Sequence, residues 1–168
     1  DYECAAMVAF GARVSVGDQL HPSGKMDEST SRIIGEAYRR VEALEKWAEG
    51  AVPVAPVAVL SVESLEAHGV GTHADVLPDE GACRMLLEAQ VPFEVIDTEA
   101  DLSKYRLLIL PDAVALKPAL AAKVERFVKG GGKLIASYRS GLNPEGNAFT
   151  LPTSMKPLGD SPWKPDFI

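Results

Sequence analysis

The sequence predicts an α/β fold in which helices cover both faces of a small, mostly parallel sheet. Four short, continuously apolar segments alternate with stretches of helical spacing, as expected for strands that are buried on both faces. The lengths of the alternating segments are typical of right-handed crossover connections. The 168 residues are 46% hydrophobic and 24% charged, which is enough apolar material for one or two small cores without disulfides or metal ions.

The net charge and the short apolar runs of the chain argue against nucleic acid and membranes as partners. The chain has 17 Lys and Arg against 24 Asp and Glu, a formal net charge of −7, so neither a nucleic-acid backbone nor an anionic membrane surface is an expected partner. Apolar runs such as Leu107 to Leu110 are far shorter than the roughly 20 residues that span a bilayer. Cys4 and Cys83 lie in apolar, helix-like segments, which favours reduced thiols and a reducing, cytoplasmic compartment.

The first fifty residues predict a helix, a strand and a second helix. An apolar helix end at Cys4 to Phe10 is followed by Gly11, and the alternation from Arg13 to Val16 predicts a half-buried strand. A long helix is expected from about Glu28 to Glu49, with Asp27 as its N-cap. Its apolar face is formed by Ile34, Tyr38, Val41, Leu44 and Ala48. One strand between two helices leaves both strand edges unpaired, so this part needs another body to pack on.

A hinge separates this part from the rest of the chain. Residues 51–56 carry two prolines among small residues, and proline stiffens the chain and donates no backbone hydrogen bond. We therefore place a domain boundary there, with residues 1–50 in one unit and residues 51–168 in the other. The chain begins without Met and ends without a polar tail, which leads us to expect a piece of a longer protein.

Beyond the hinge the predicted order of elements is β, α, β, β, α, β. The four apolar strands are expected at Val57–Val62, Phe93–Asp97, Tyr105–Pro111 and Lys133–Ser137. From Gly141 onward the chain is rich in Pro and Gly, so we expect irregular structure there. This order and these lengths predict a flavodoxin-like three-layer sandwich for residues 51–168.

Two helices are expected between these strands. The first begins at Pro78-Asp79-Glu80, and the second begins at Lys117-Pro118, where proline suits the first turn. The second ends at Gly130-Gly131-Gly132, since glycine adopts the left-handed conformation that stops a helix. The residues predicted to face the sheet are Met85, Leu86 and Ala89 in the first helix and Leu120, Val124, Phe127 and Val128 in the second.

Open parallel sheets bind ligands beyond the carboxyl ends of their strands, so a catalytic or binding site is expected in the loops at that edge. His68 and His73 lie five residues apart without a further metal-ligand pattern, and we expect no metal site. Gly130–Gly132 precedes a strand, which is the reverse of a phosphate cradle, and no cofactor is expected. Ser137 and Ser140 lack the first glycine of a G-x-S-x-G turn, so no catalytic residue is assigned.

The loop from Gly17 to Gly24 is the chemically richer candidate. Asp18, Gln19 and His21 place a carboxylate, an amide and an imidazole close together at the end of the predicted strand. Such a trio suits sugar hydroxyls, so we take these three as candidate substrate-binding residues. The alternative is a structural turn in which Asp18 or His21 bonds to loop backbone.

Two parts of the chain resemble glycoside hydrolases. The stretch from Gly11 to Gly24, with Gly-Asp-Gln-Leu-His-Pro at its centre, and the helical segments Ile33–Tyr38 and Val41–Trp47 look like the last strand and last helix of the barrel in beta-galactosidase-like and alpha-L-fucosidase-like enzymes. Segments similar to the beta-galactosidase trimerisation domain, which has a class I glutamine amidotransferase-like fold, are Leu107–Asp112, Val128–Ile135 and Gly159–Phe167. The resemblance implies that residues 1–50 are a helix-strand-helix remnant of a (β/α)8 barrel and that residues 51–168 are an accessory trimerisation domain.

The resemblance also implies that the chemistry lies elsewhere. Barrel glycosidases need a pair of carboxylates, which earlier barrel strands carry, and the nucleophilic cysteine of catalytic amidotransferases has no counterpart here. We therefore expect a non-catalytic accessory and oligomerisation region, inactive alone, whose parent enzyme acts on carbohydrate. Its unpaired strand and helix face are expected to be covered by another copy, in a dimer or trimer. The alternative is a stand-alone small amidotransferase-like hydrolase in which Ser137 or Ser140 is the nucleophile and His68 or His73 assists.

Overall fold

The computed structural model describes residues 2–19, 21–65, 77–151, 153–159 and 161–163. Contacts between residues divide the chain into two compact units, Asp1–Val54 and Ala55–Ile168. Both cysteines, one in each unit, are free thiols. None of the helices described is both long and apolar enough to cross a membrane.

The first unit consists of two helices that pack against each other, α1 (Tyr2–Ala9) and α2 (Glu28–Ala48). Asp27 caps α2 as predicted, because its carboxylate accepts the backbone N–H groups of the first turn. Cys4 of α1 and Val41 of α2 are the buried residues of the two helices.

The strand predicted from Arg13 to Val16 is wrong, since the described residues of this unit contain no strand. An alternating sequence indicates which side chains would be buried, but a strand also needs a neighbouring strand to accept and donate its backbone hydrogen bonds. The contact recorded for this segment is instead a side-chain one, in which the Tyr38 hydroxyl donates to the Val14 carbonyl at 3.3 Å.

The second unit contains the parallel sheet that the apolar segments predicted. Its strands are β1 (Val57–Leu60), β2 (Phe93–Ile96), β3 (Leu107–Leu110) and β4 (Lys133–Ala136), and their spatial order is β2-β1-β3-β4. All three strand pairs are parallel. The predicted α/β fold is therefore confirmed.

Two helices connect these strands, α3 (Leu77–Glu88) between β1 and β2 and α4 (Pro118–Lys129) between β3 and β4. The two crossovers leave the centre of the sheet in opposite directions, so right-handed connections place α3 and α4 on opposite faces. The main core lies on the α4 side, where buried Val124 of α4 belongs to one cluster with Ala58, Leu60, Leu108, Leu110, Val114 and Leu116.

The predicted buried face of α3 is wrong for Met85 and Ala89, which are both exposed. Met85 is 67% exposed, whereas Asp79 and Ala82 are the buried residues of this helix. Hydrogen bonds from the end of β1 to the Asp79 carboxylate hold the first turn and so fix how the helix is rotated about its axis. On α4, Leu120, Val124 and Phe127 pack on the core as predicted, whereas Val128 is 41% exposed.

The chain after β4 is irregular, as its Pro and Gly content predicted. The described part holds one isolated antiparallel bridge, between Leu142 and Phe149. Gly141, with a φ of +86°, adopts a backbone conformation that glycine reaches without strain.

Candidate functional site

The carboxyl edge of the sheet begins with a buried carboxylate. Asp79, which is 9% exposed, accepts the Ser61 hydroxyl at 2.7 Å and the Val62 backbone N–H at 3.0 Å. These bonds join the end of β1 to the first turn of α3. Asp79 is thus engaged by the protein's own backbone and side chains, as a structural clamp.

Cys83 lies one turn further along α3 and is half-buried. Burial raises the pKa of its thiol, and the nearby Asp79 carboxylate raises that pKa further. The thiol therefore stays protonated at neutral pH, whereas a nucleophilic cysteine needs a lowered pKa. The raised pKa of its thiol is typical of a structural cysteine and not of a nucleophile.

The two serines considered as nucleophiles fasten one loop to another. The Ser137 hydroxyl accepts the Asp112 N–H at 2.9 Å, and the Ser140 hydroxyl accepts the Val114 N–H at 3.0 Å. Ser140 is only 2% exposed. Neither hydroxyl meets a basic side chain within the part of the chain that the structure describes.

The alternative of a Ser nucleophile is therefore not supported. A nucleophile needs an activating base within hydrogen-bond reach and room for the substrate. Both hydroxyls are instead engaged in orienting a loop, and Ser140 is also buried. His68 and His73, the proposed partners of that alternative, lie outside the described residues.

The first unit has a cavity of about 450 Å³ between its loop and α2. Asp18 and Gln19 both line it, beside Tyr38 and Met26. His21 is instead held in a local turn, where its Nδ1 lies 2.8 Å from the Ser23 hydroxyl. The structure thus brings two of the three predicted residues to one cavity.

The chemistry of this cavity suits a polyhydroxylated ligand. The Asp18 carboxylate accepts hydrogen bonds and the Gln19 amide both donates and accepts. Tyr38 offers an aromatic surface, and Val16 and Met26 add apolar wall. The sequence predicted Tyr38 only as part of the apolar face of the helix. Tyr38 lies one turn after Ile34 on that face, and both residues line this cavity.

A larger cavity, of about 670 Å³, lies at the carboxyl ends of the strands in the second unit. The loops after β1, β2 and β3 form it together with the start of α4. Its charged lining residues are Glu99, Lys117, Lys123 and Arg126. Sequence reasoning identified this edge but missed these residues, because lysines and arginines on a helix are normally a solvated surface.

No set of three His, Cys, Asp or Glu side chains among the described residues is arranged to hold a metal ion.

Comparison with known proteins relates part of the second unit to a known domain. Residues 83–160 match the family model of the beta-galactosidase trimerisation domain. The chain is a relative of the beta-galactosidase-like glycoside hydrolases. The resemblance read from the trimerisation-domain segments is thereby confirmed, and the matched region runs from within α3 through β4 into the irregular segment.

Solved structures extend the likeness beyond the trimerisation domain. The alpha-L-fucosidase isoenzyme 2 from Paenibacillus thiaminolyticus is 48% identical, with a TM-score of 0.76 over 90% of this chain and 23% of its own. The cold-adapted beta-galactosidase from Rahnella sp. R3 is 25% identical, with a TM-score of 0.60 over 83% of this chain and 24% of its own.

Curated relatives show the same relation. The beta-galactosidase BgaA from Planococcus sp. is 39% identical over 66 residues, which is 39% of this chain and 10% of that protein. The beta-galactosidase GalA from Bacillus licheniformis is 28% identical over 132 residues, or 73% of this chain and 20% of that protein. The chain thus spans a tenth to a fifth of the length of these two relatives.

Proposed function

We propose that this chain is the non-catalytic accessory and oligomerisation region of a glycoside hydrolase that acts on carbohydrate. The observation that carries the proposal is the match of residues 83–160 to the trimerisation domain. The parent enzyme is beta-galactosidase-like or alpha-L-fucosidase-like, in line with the relatives above. Its working form is a dimer or trimer in the cytoplasm, without nucleic acid or membrane as partner.

The sheet presents an apolar surface that suits self-association. Val95, Val59, Ile109 and Ile135 are in register across all four strands, so their side chains form one row on one face. Val59 is fully buried in the middle, whereas Val95 and Ile135 at the two ends are 52% and 51% exposed. Burying such apolar area yields roughly 25 cal/mol per Å², which favours a partner surface over these ends.

The division of labour within the parent enzyme follows the same proposal. Residues 1–50 are the last unit of its barrel, of which the structure shows the helices α1 and α2, and residues 51–168 are the accessory domain. Asp18, Gln19 and His21 belong to the rim of its sugar-binding site, with Asp18 and Gln19 reaching the cavity beside Tyr38. The two carboxylates that cleave the glycosidic bond lie on other strands of the barrel.

Sedimentation equilibrium of the 168-residue chain tests the proposal. We expect a dimer or trimer at about 100 µM, and Ile135→Lys is expected to weaken the assembly because it places a charge within the interface. Val128→Lys, at a part-exposed apolar position on α4, is the matched control, because α4 packs on the other face of the sheet from this row; it is expected to leave the assembly intact. A folded monomer at that concentration contradicts the proposal.

Activity provides the second readout. The chain alone is expected to show no turnover of a panel of aryl glycosides above the buffer rate. Turnover that co-purifies with the chain through two columns would overturn the non-catalytic assignment.

A further inference from the structure

We propose that the cavity at the carboxyl ends of β1, β2 and β3 binds a small organic anion. Its volume of about 670 Å³ falls within the range of small-molecule sites. It lies where the strand order reverses, between β1 and β3, which is where open parallel sheets bind ligands. This binding function goes beyond oligomerisation and does not depend on it.

Charge gives the first reason for an anionic ligand. The cavity is lined by three cationic side chains, Lys117, Lys123 and Arg126, and by one carboxylate, Glu99. This local excess of positive charge contrasts with the net charge of −7 on the whole chain. Three cations that share one cavity repel one another, and an anion between them relieves that repulsion.

The hydrogen-bonding state of these side chains gives the second reason. Within the described part of the chain, Lys117 and Arg126 form no side-chain hydrogen bond or ion pair. The Lys123 ammonium donates to the Thr98 carbonyl at 2.6 Å, which holds it at the cavity wall and leaves two of its three N–H donors for a ligand. Cationic donors are therefore available on one side of the cavity.

The backbone at the start of α4 adds to this side. Lys117 occupies the N-cap position without forming a side-chain cap hydrogen bond. The next residues, Ala119 and Leu120, also line the cavity, and their first-turn N–H groups have no helical acceptor. A ligand anion here would meet backbone donors as well as side-chain cations.

The apolar part of the cavity lining determines the rest of the ligand. Val62, Leu65, Ala113 and Ala115 line it with apolar surface, and the Ser64 hydroxyl is already used in donating to the Ser61 carbonyl. The ligand therefore carries a phosphate or carboxylate on a compact body that has at least one weakly polar face. Sugar phosphates and sugar acids have this chemistry.

Isothermal titration of the 168-residue chain at low ionic strength tests the proposal. The probes are inorganic phosphate, galactose 6-phosphate, galacturonate and neutral galactose. We expect at least one of the two charged sugars to bind at least tenfold more tightly than galactose, and this binding to weaken with added salt. The phosphate and carboxylate probes separate the two sources of negative charge. Equal binding of all three sugars, or no saturable binding, overturns the proposal.

Substitutions locate the site. Lys117→Gln and Lys123→Gln are each expected to weaken anion binding roughly fivefold or more. Lys133→Gln is the matched control, because Lys133 lies at the amino end of β4, on the opposite edge of the sheet. Equal weakening by the control overturns the assignment. Lys117→Gln breaks no hydrogen bond among the described residues, so it remains informative if Lys123→Gln unfolds.

The outcome is separable from that of the oligomerisation proposal. Anion titration of the Ile135→Lys variant reports binding when assembly is weakened, and sedimentation of the Lys117→Gln variant reports assembly when anion binding is weakened. Either result can fail alone.

Discussion

Replacing Asp79 with Ala should destabilise the second unit more than any exposed substitution. The change removes the acceptor of the Val62 N–H and the Ser61 hydroxyl. Val62 is buried, so its stranded N–H costs roughly 1–3 kcal/mol. The half-buried Ser61 hydroxyl turns to water and adds about 1 kcal/mol at most. The expected loss is therefore about 1–4 kcal/mol.

Urea unfolding followed by circular dichroism measures this loss. With an m-value of about 2 kcal/mol/M, the midpoint of the second unit should fall by roughly 0.5–2 M. Ser61→Ala alone removes one donor and should cost about 1 kcal/mol or less. Because Ser61 and Asp79 are in contact, the double variant should be less destabilised than the sum of the singles. An unchanged midpoint for Asp79→Ala, or strict additivity, refutes the view that this carboxylate clamps α3 to β1.

Two further predictions concern a cap and a close approach. The Thr30 and Ser29 hydroxyls and the Ser29 N–H lower the pKa of Asp27 from its ordinary 3.8 to about 2. The ionised cap therefore stabilises α2 fully above about pH 4 and loses this effect as the pH falls towards 2. Amide exchange in the first turn of α2 should show this pH dependence, and Asp27→Ala should abolish it. Gly132→Ala would drive a methyl group into the Phe127 ring and should lower the free energy of unfolding by roughly 1–3 kcal/mol. The control is Gly81→Ala in α3, where nothing lies within 4 Å of the added methyl group, and it should leave the stability unchanged or raise it.

The features that sequence predicted well are those fixed by local composition. Val57–Leu60 and Leu107–Leu110 are continuous apolar runs between turn signals, and both became buried central strands. Arg13–Val16 also has a strand pattern, but pairing depends on a distant partner that the pattern does not specify. Met85 was misassigned because helical spacing defines several possible faces, and Asp79 selects one through bonds to a residue far away in the sequence.

The candidate sites show the same limit. Asp18 and Gln19 were identified because they are neighbours in one loop, and both line one cavity. The cationic cavity combines residues from three loops and a helix, so only folding brings Glu99 and Lys123 to one lining. Lys123 resembles any solvated helix residue until its bond to the Thr98 carbonyl is known.

The polar groups at the carboxyl edge indicate how this parallel sheet serves as a scaffold. Ser61, Ser137 and Ser140 each direct a hydroxyl to a group of the adjoining loop or helix, so the side chains available for catalysis at this edge are used to hold the loops together. On the proposed function, association depends on Val95 and Ile135, which lie within the outer strands and take part in none of these bonds. Stability and assembly are then controlled by different residues, and substitutions at the edge should lower the stability without changing the apolar row that is proposed to govern assembly.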